Sequence, residues 1–284
     1  MASHPRLAVT LGDPRGIGPE VVTKALAQPL DAEIRIVGTR EQVAGSKLSE
    51  LDAGRVAGQA IEEAARLALR GEVDAIVTGP VHKQALHAAG YRYPGVTEFL
   101  SHLAGDVPVA MMLATGKLRV VLVTTHLPLR DVAAAVTTER VVQAGRITAD
   151  ALRDWWGIAA PRLAVCALNP HAGEGGLFGD EEERVLRPAA LALGAAGPLP
   201  ADTVFVKALR GDFDAVLTPY HDVGMTAVKV AGFGSGVNVT LGLPFIRTAP
   251  DHGTALDIAG KGTADAGSMR AALELAAQLA RRRR

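Results

Sequence analysis

The chain alternates short, β-branched apolar runs with amphipathic helical stretches, and few folds accept that order. It reads RLAVTL (6–11), PEVVTKALAQ (19–28), EIRIVGT (33–39), IEEAARLALR (61–70), VDAIVTG (73–79) and VHKQALHAAG (81–90). Such alternation specifies β-α-β units on a mostly parallel sheet, because each parallel pair needs a crossover that a helix supplies. VPVAMMLA (107–114) and KLRVVLVTT (117–125) interrupt it: only Thr115 and Gly116 lie between them, so a hairpin is expected. A helix over 139–156, a strand over 162–168, a helix over 180–193, strands over 214–218 and 237–243 and a terminal helix from about Asp265 complete the pattern. Aromatic residues make up only 4% of the chain, so the core must be built from Ala, Val and Leu, which suits helices packed closely on a parallel sheet. The fold class is therefore α/β, mostly parallel with antiparallel elements. No internal repeat stands out, and GAAGPLPAD (194–202) is the softest stretch, too short to link independent domains. Two lobes sharing a cleft are expected, residues 1–105 with 240–284 and residues 106–239, hinged near the hairpin.

Lys+Arg and Asp+Glu both total 30, which points away from nucleic acid and from anionic membranes as partners. The RRRR at 281–284 reads as a solvated helix end whose cations complement the macrodipole. A single cysteine, Cys166, permits no intrachain disulfide and is compatible with a reducing cytoplasm. MASHPRLAVTLGD lacks a signal-peptide core, and the longest uncharged run, 230–246, is broken by glycines and a proline, so no membrane span is expected.

Three strand-like runs end on histidine: VLVTTHLPL at His126, LAVCALNPH at His171 and DAVLTPYHD at His221. Ligands collect at the carboxyl ends of parallel strands, so the three imidazoles are expected to converge. Three neutral imidazoles suit zinc, cobalt or nickel better than magnesium or calcium, and they leave coordination positions open for a substrate oxygen.

GDPRGIGPE (12–20) opens a helix after the first strand, but Val21 stands where a dinucleotide fingerprint needs its third glycine, so a tight strand-to-helix turn is the competing reading. HGTALDIAGKGTAD (252–265) offers small residues before a helix expected near Ala255, whose free N–H groups could meet a base and ribose. Lys229 in an apolar stretch, Asn238, and Arg247 just after PFI are costly to bury unless an anion or an ion pair meets them. Asp202, Asp222 and Asp251 could orient imidazoles or act as bases, and Asp202 could instead cap a helix. No GxSxG elbow suggests a serine nucleophile.

The segments GDPRGIGPE, TGPVHKQAL, GVTEFL, TTHLPLRDV, LNPHAGEGGLFGDEE, PLPADTVF, YHDVGM and GVNVTLGLPFIRTAPDHGTALDIAGKGTADAGS occur in one order from about residue 7 to residue 270. Together they resemble the 4-hydroxythreonine-4-phosphate dehydrogenase family of vitamin B6 synthesis. The HGTALDIAGKG loop also looks like the adenosine-binding loop of isocitrate and isopropylmalate dehydrogenases, whose two-lobed fold that family shares. The resemblance implies His126, His171 and His221 as ligands of a divalent metal, zinc or cobalt before magnesium. It implies Thr97, Lys229, Asn238 and Arg247 as substrate contacts, and His252, Gly253, Thr254 and Ala255 as the cofactor loop for NAD or NADP. Asp202 and Lys83 are the candidates for the catalytic base. The resemblance further implies a cytoplasmic homodimer with the active site at the subunit interface. The implied reaction is oxidation of a secondary alcohol to a β-keto acid that loses carbon dioxide.

The chain departs from the family in two places. Val96 replaces a substrate-contacting histidine, and Val223 and Thr226 replace Gln and Pro beside His221. These changes bring in other substrates, namely 4-phosphoerythronate, 4-phosphothreonate and the cis-dihydrodiol of terephthalate. A non-catalytic metal- or nucleotide-binding protein is the alternative from another class.

Overall fold

The computed structural model describes residues 4–38, 45–232 and 234–283. Its strands are β1 (Arg6–Thr10), β2 (Glu33–Val37), β3 (Ala75–Thr78), β4 (Ala110–Thr115), β5 (Leu118–Leu122), β6 (Leu163–Cys166), β7 (Ala196–Leu199), β8 (Ala215–Thr218), β9 (Val237–Leu241) and β10 (Ile246–Pro250). The chain divides into two compact units, Met1–Val109 with Gly234–Arg284, and Ala110–Phe233. The α/β class is as read from the sequence: mostly parallel strands with antiparallel elements.

In the first unit the order is β2-β1-β3-β10-β9, the first four parallel and β9 antiparallel to β10. One face carries the helix Glu50–Leu69, which the Ser49 hydroxyl starts by accepting from the Asp52 amide at 3.1 Å. That cap extends the helix well before the residue-61 start read from the apolar period. Its buried side is Ala53, Ala57, Ala60, Ile61, Ala64 and Ala65, small enough to lie flat on the sheet. Phe99 and Leu100 of the helix Val96–Leu103 fill the rest of that core, with Tyr93 stacked on Phe99 at 4.6 Å. Each such buried side chain contributes about 1.5–3 kcal/mol. The helix Gly267–Arg283 packs on this unit's strands through Met269 and Leu273 and is tied to β10 by the Thr248 hydroxyl, which donates to the Ala272 carbonyl at 2.9 Å.

In the second unit the order is β4-β5-β8-β6-β7, with β5, β8, β6 and β7 parallel and β4 antiparallel to β5. Written from the other end, β7-β6-β8-β5-β4 repeats the arrangement of the first unit strand for strand. The correspondence reaches the side chains. Asp74 accepts from the Arg6 amide at 2.6 Å and from Nη2 at 3.1 Å, and Asp214 accepts from the Arg162 amide at 2.8 Å and from Nη2 at 3.0 Å. The return bonds also match, Asp74 N to Arg6 O and Asp214 N to Arg162 O, both 2.8 Å. PRLAV opens at both Pro5 and Pro161. The repeat escaped the sequence because it is permuted: the antiparallel hairpin leads the second unit and closes the first, so no single offset aligns them.

Three further elements differ from the sequence reading. The hairpin reverses at Gly116–Lys117, since Thr115 pairs with Leu118. GAAGPLPAD is no soft spot, because Ala196–Leu199 is β7, parallel to β6. Helix Leu129–Ala135 begins three residues after His126 and helix His221–Ala231 at His221 itself, where the prolines and short periods concealed them. No helix among the described residues is long and apolar enough to cross a membrane.

Candidate functional site

His126, His221 and His171 follow β5, β8 and β6, three neighbouring parallel strands of the second unit. The pairing of β5 with β8 continues past the strand ends. Val123 N donates to the Thr218 carbonyl at 2.9 Å, and the Thr124 hydroxyl donates to the Pro219 carbonyl at 2.7 Å. This zipper carries the two loops out side by side and leaves the His126 and His221 rings 5.5 Å apart. Ligand nitrogens about 2 Å from a shared ion place their ring centres about this far apart. His221 opens the helix His221–Ala231, and its Nδ1 bonds Asp222 Oδ1 at 2.7 Å. With a carboxylate accepting there, Nδ1 carries the proton and Nε2 is left for a metal, the usual orienting arrangement around imidazole ligands.

His171 does not join them. Among the described residues no three His, Cys, Asp or Glu side chains are grouped to hold a metal ion, so the expected convergence within one chain is corrected to a pair. The reason is local. From His171 to Gly175 the backbone runs left-handed, with φ of 51°, 56°, 81°, 43° and 67°, and the turn faces His171 out to solvent, with Nδ1 on Glu174 Oε2 at 2.9 Å.

In the first unit Arg247 is buried, 4% exposed. Its Nε and Nη2 donate to the Thr78 hydroxyl at 3.1 and 2.6 Å, its Nη1 to the Thr240 hydroxyl at 3.0 Å, and Thr240 in turn meets Thr97 at 3.3 Å. No carboxylate pairs with it among the described residues. Burial draws its pKa down to about 10, against the pull of the Glu98 charge. Asn238 lies two residues before Thr240 on the same strand face, and its Oδ1 is buried without a partner. A cation held by neutral hydroxyls on a strand that also carries an unsatisfied amide has the chemistry to receive an anion. Arg247 and Asn238 stood out from the residues and Thr97 from the resemblance; Thr78 and Thr240 did not, and for Thr240 the polar alternation in VNVTL was the available signal. Lys229 belongs to the second unit, in the last turn of His221–Ala231.

The loop His252–Ala255 does not begin a helix. Ala255 has φ 41°, residues 256–260 form turns, and the helix starts only at Gly267. Instead Thr254 O accepts from the Ile17 amide at 2.9 Å, and a Cβ on Gly16 would come within 2.6 Å of that carbonyl. The GxG stretch is therefore a packing turn against this loop. His252 Nε2 is buried without a partner, an atom that a bound nucleotide could satisfy.

Asp202 is exposed in the first turn of Ala201–Arg210, and Pro200, not Asp202, occupies the cap position. Lys83 is exposed at the start of Lys83–Ala88. Burial, then the Glu182 charge, pushes the Cys166 thiol up to about 12, which removes it as a nucleophile.

The family described as pyridoxal phosphate biosynthetic protein PdxA matches residues 19–276. The chain is 45% identical to the 4-hydroxythreonine-4-phosphate dehydrogenase of Geobacter metallireducens, over 98% of this chain and 96% of that protein. It is 43% identical to the D-threonate 4-phosphate dehydrogenase of Cupriavidus necator, over 98% of each. Its structure resembles the crystal structure of the 4-hydroxythreonine-4-phosphate dehydrogenase of Klebsiella pneumoniae, with TM-score 0.89, 39% identity and 99% of both chains covered. A β-decarboxylating dehydrogenase of Thermococcus kodakarensis shares the fold alone, at TM-score 0.52 and 17% identity over 96% of this chain and 81% of that one.

Proposed function

The chain belongs to the PdxA family of pyridoxal phosphate biosynthetic proteins, and from that premise we propose that it is a metal-dependent NAD(P) dehydrogenase acting on 4-hydroxythreonine 4-phosphate, oxidation being followed by decarboxylation. The observation that carries the substrate class is Arg247, a buried guanidinium with hydroxyl neighbours and, among the described residues, no carboxylate partner. Burying it is unfavourable until an anion arrives, so binding a phosphate or carboxylate group relieves what folding costs.

In this reading Arg247, Asn238 and Thr97 hold the anion. Lys229 enters the proposal by resemblance alone. His126 and His221 would hold a divalent ion, with Asp222 keeping the His221 ring oriented. Their all-nitrogen donor set favours zinc or cobalt over magnesium. When bound, the ion would supply Lewis-acid polarisation of the substrate hydroxyl, and a bound nicotinamide would supply the hydride acceptor. His252, Gly253, Thr254 and Ala255 form the cofactor loop, for which the unsatisfied His252 Nε2 is the support. Asp202 and Lys83 are the proposed proton acceptors, tested by Asp202→Asn and Lys83→Met, either of which with turnover intact removes that residue from the role.

A homodimer is part of the proposal. The helices Ala201–Arg210 and His221–Ala231 line an apolar groove with Phe205, Leu209, Val223, Ala227 and Val230, the last 82% exposed. Leu129 beside His126 and Leu177 near His171 are 70% and 72% exposed. A second copy covering these surfaces would complete the metal set with His171 of the partner subunit. Mixing His126→Ala with His171→Ala protein would then restore part of the activity that each lacks alone. A cytoplasmic setting is supported by the lone free Cys166.

A second reading, another substrate with the terephthalate cis-dihydrodiol foremost, is favoured by one observation. Val96, where the resembling family has a histidine, leans on the apolar core beside Thr97 and offers the substrate no hydrogen bond. The test is reduction of NAD or NADP by metal-loaded protein on 4-hydroxythreonine 4-phosphate, 4-phosphoerythronate, 4-phosphothreonate and the terephthalate cis-dihydrodiol in parallel. Preference for the first supports the proposal. Turnover of another alone replaces the substrate, and silence on all four with metal bound leaves a binding protein.

A further inference from the structure

We infer that Glu182 is the positioning residue for His171: its buried carboxylate fixes the left-handed turn on which that imidazole stands. The inference deepens the metal-dependent reading and rests on it.

His171, Ala172 and Glu174 are L-residues held in the left-handed region, where each costs on the order of 1–2 kcal/mol. Such a run persists only when its surroundings over-determine it. Glu182 does so from outside the turn. It is 1% exposed, and its Oε1 accepts from the amides of Leu168 at 2.9 Å and Asn169 at 2.7 Å. Its Oε2 accepts from Asn169 Nδ2 at 2.9 Å and lies 3.0 Å from where a Cβ of Gly173 would be. One carboxylate thus grips the residues just before His171 and abuts the turn just after it. No cation pairs with it among the described residues. A buried anion with only N–H partners is expensive, and here the donors belong to the segment that carries the histidine.

The first unit shows what is missing. After β1 the matching turn reads Asp13–Pro14–Arg15, and Asp13 closes it with its own carboxylate, accepting from Arg15 N at 2.9 Å, Nε at 3.1 Å and Nη2 at 2.8 Å. After β6 the turn reads Asn169–Pro170–His171, and Asn169 is an amide that donates to Glu181 and Glu182. The charge that the first turn carries internally comes to the second from Glu182. The backbone there, Glu182–Leu186, is wound as a π-helix, a form that recurs at functional sites.

The test titrates metal-free full-length wild type, Glu182→Gln and a control, Glu183→Gln, with Co2+, reading affinity and the visible ligand-field spectrum, beside thermal unfolding without metal. Glu183 is exposed and pairs with Arg187, so its variant should match wild type. Glu182→Gln should weaken Co2+ binding roughly 10- to 100-fold and alter the spectrum, the size expected when a group orienting a ligand is lost. Should that variant not fold, Asn169→Asp combined with Glu182→Gln exchanges donor for acceptor, and it should bind Co2+ with an altered spectrum. A variant that is less heat-stable but binds Co2+ with wild-type affinity and spectrum overturns the inference, leaving Glu182 a structural residue. Wild type that binds no Co2+ overturns it together with the metal reading.

Discussion

The β1–β3 part of the first unit and the β6–β8 part of the second begin alike and end differently. Both start with PRLAV, and both lock the strand start with an arginine whose amide and guanidinium meet one aspartate, Arg6 with Asp74 and Arg162 with Asp214. At the other end the first unit offers a closed Asp13–Arg15 turn packed on Thr254, and the second offers His171 and His221. Even the fourth strand, β10 against β5, diverges. Registered against β3, Arg247 occupies the place that Val120 takes against β8. What the two share holds the sheet together, and what they do not share is chemistry, as expected where ligands gather at the carboxyl ends of parallel strands.

The largest effect should come from breaking the difference at the strand ends. His221→Ala should lower turnover by about a thousandfold or more, roughly 4 kcal/mol of barrier, and abolish metal binding. His82→Ala, at the matching place after β3, should leave the metal content of the purified protein unchanged. Chelation should reproduce the His221→Ala loss, with recovery on adding zinc or cobalt. Metal retention by His221→Ala would contradict the assignment.

Breaking the likeness should come next. Asp74→Ala and Asp214→Ala each remove a charged acceptor from a backbone amide and a guanidinium, so each should cost roughly 3 kcal/mol by urea unfolding. Near-equal losses support the correspondence; a large inequality argues against it.

Arg247→Met makes the first unit more like the second. It should raise stability by about 1–3 kcal/mol, because an unpaired buried charge is replaced by an apolar chain of similar length. KM should rise at least tenfold, and phosphate, which should raise the melting temperature of wild type, should no longer do so. Lost stability would instead mark Arg247 as structural.

The smallest effect is on pH. Burial alone would raise the Asp214 carboxyl, but the Arg162 side chain and amide hold it below its ordinary value of 3.8. A depressed folded pKa gives stability that is present above the ordinary value and lost as pH falls through the folded one. The stability advantage of wild type over Asp214→Asn should therefore shrink below about pH 4 and be flat above it. An advantage that grows on acidification would reverse the assigned sign.

How much of this was legible in the sequence follows the same division. The alternation of strand and helix gave the α/β class, because periodicity is a local signal. Arg247 was legible because an arginine after Pro-Phe-Ile is costly to bury without an anion. Three things were hidden. The permuted repeat is a relation between distant segments with no common offset. The left-handed turn at His171 depends on Glu182, eleven residues on, so the expected trio of histidines became a pair. The turn at Ala255 reads as a helix start in the sequence because small residues are helix formers, whereas the loop is fixed by Thr254 docking on Gly16.

The strand-end histidines of the second unit are proposed to bind the divalent ion. Zinc-edge anomalous diffraction from zinc-loaded crystals tests this most directly. One strong peak per subunit is expected against the rings of His126 and His221, with His171 of the partner subunit as third ligand. A peak away from this pair, or at His82 or His252 in the first unit, would contradict it.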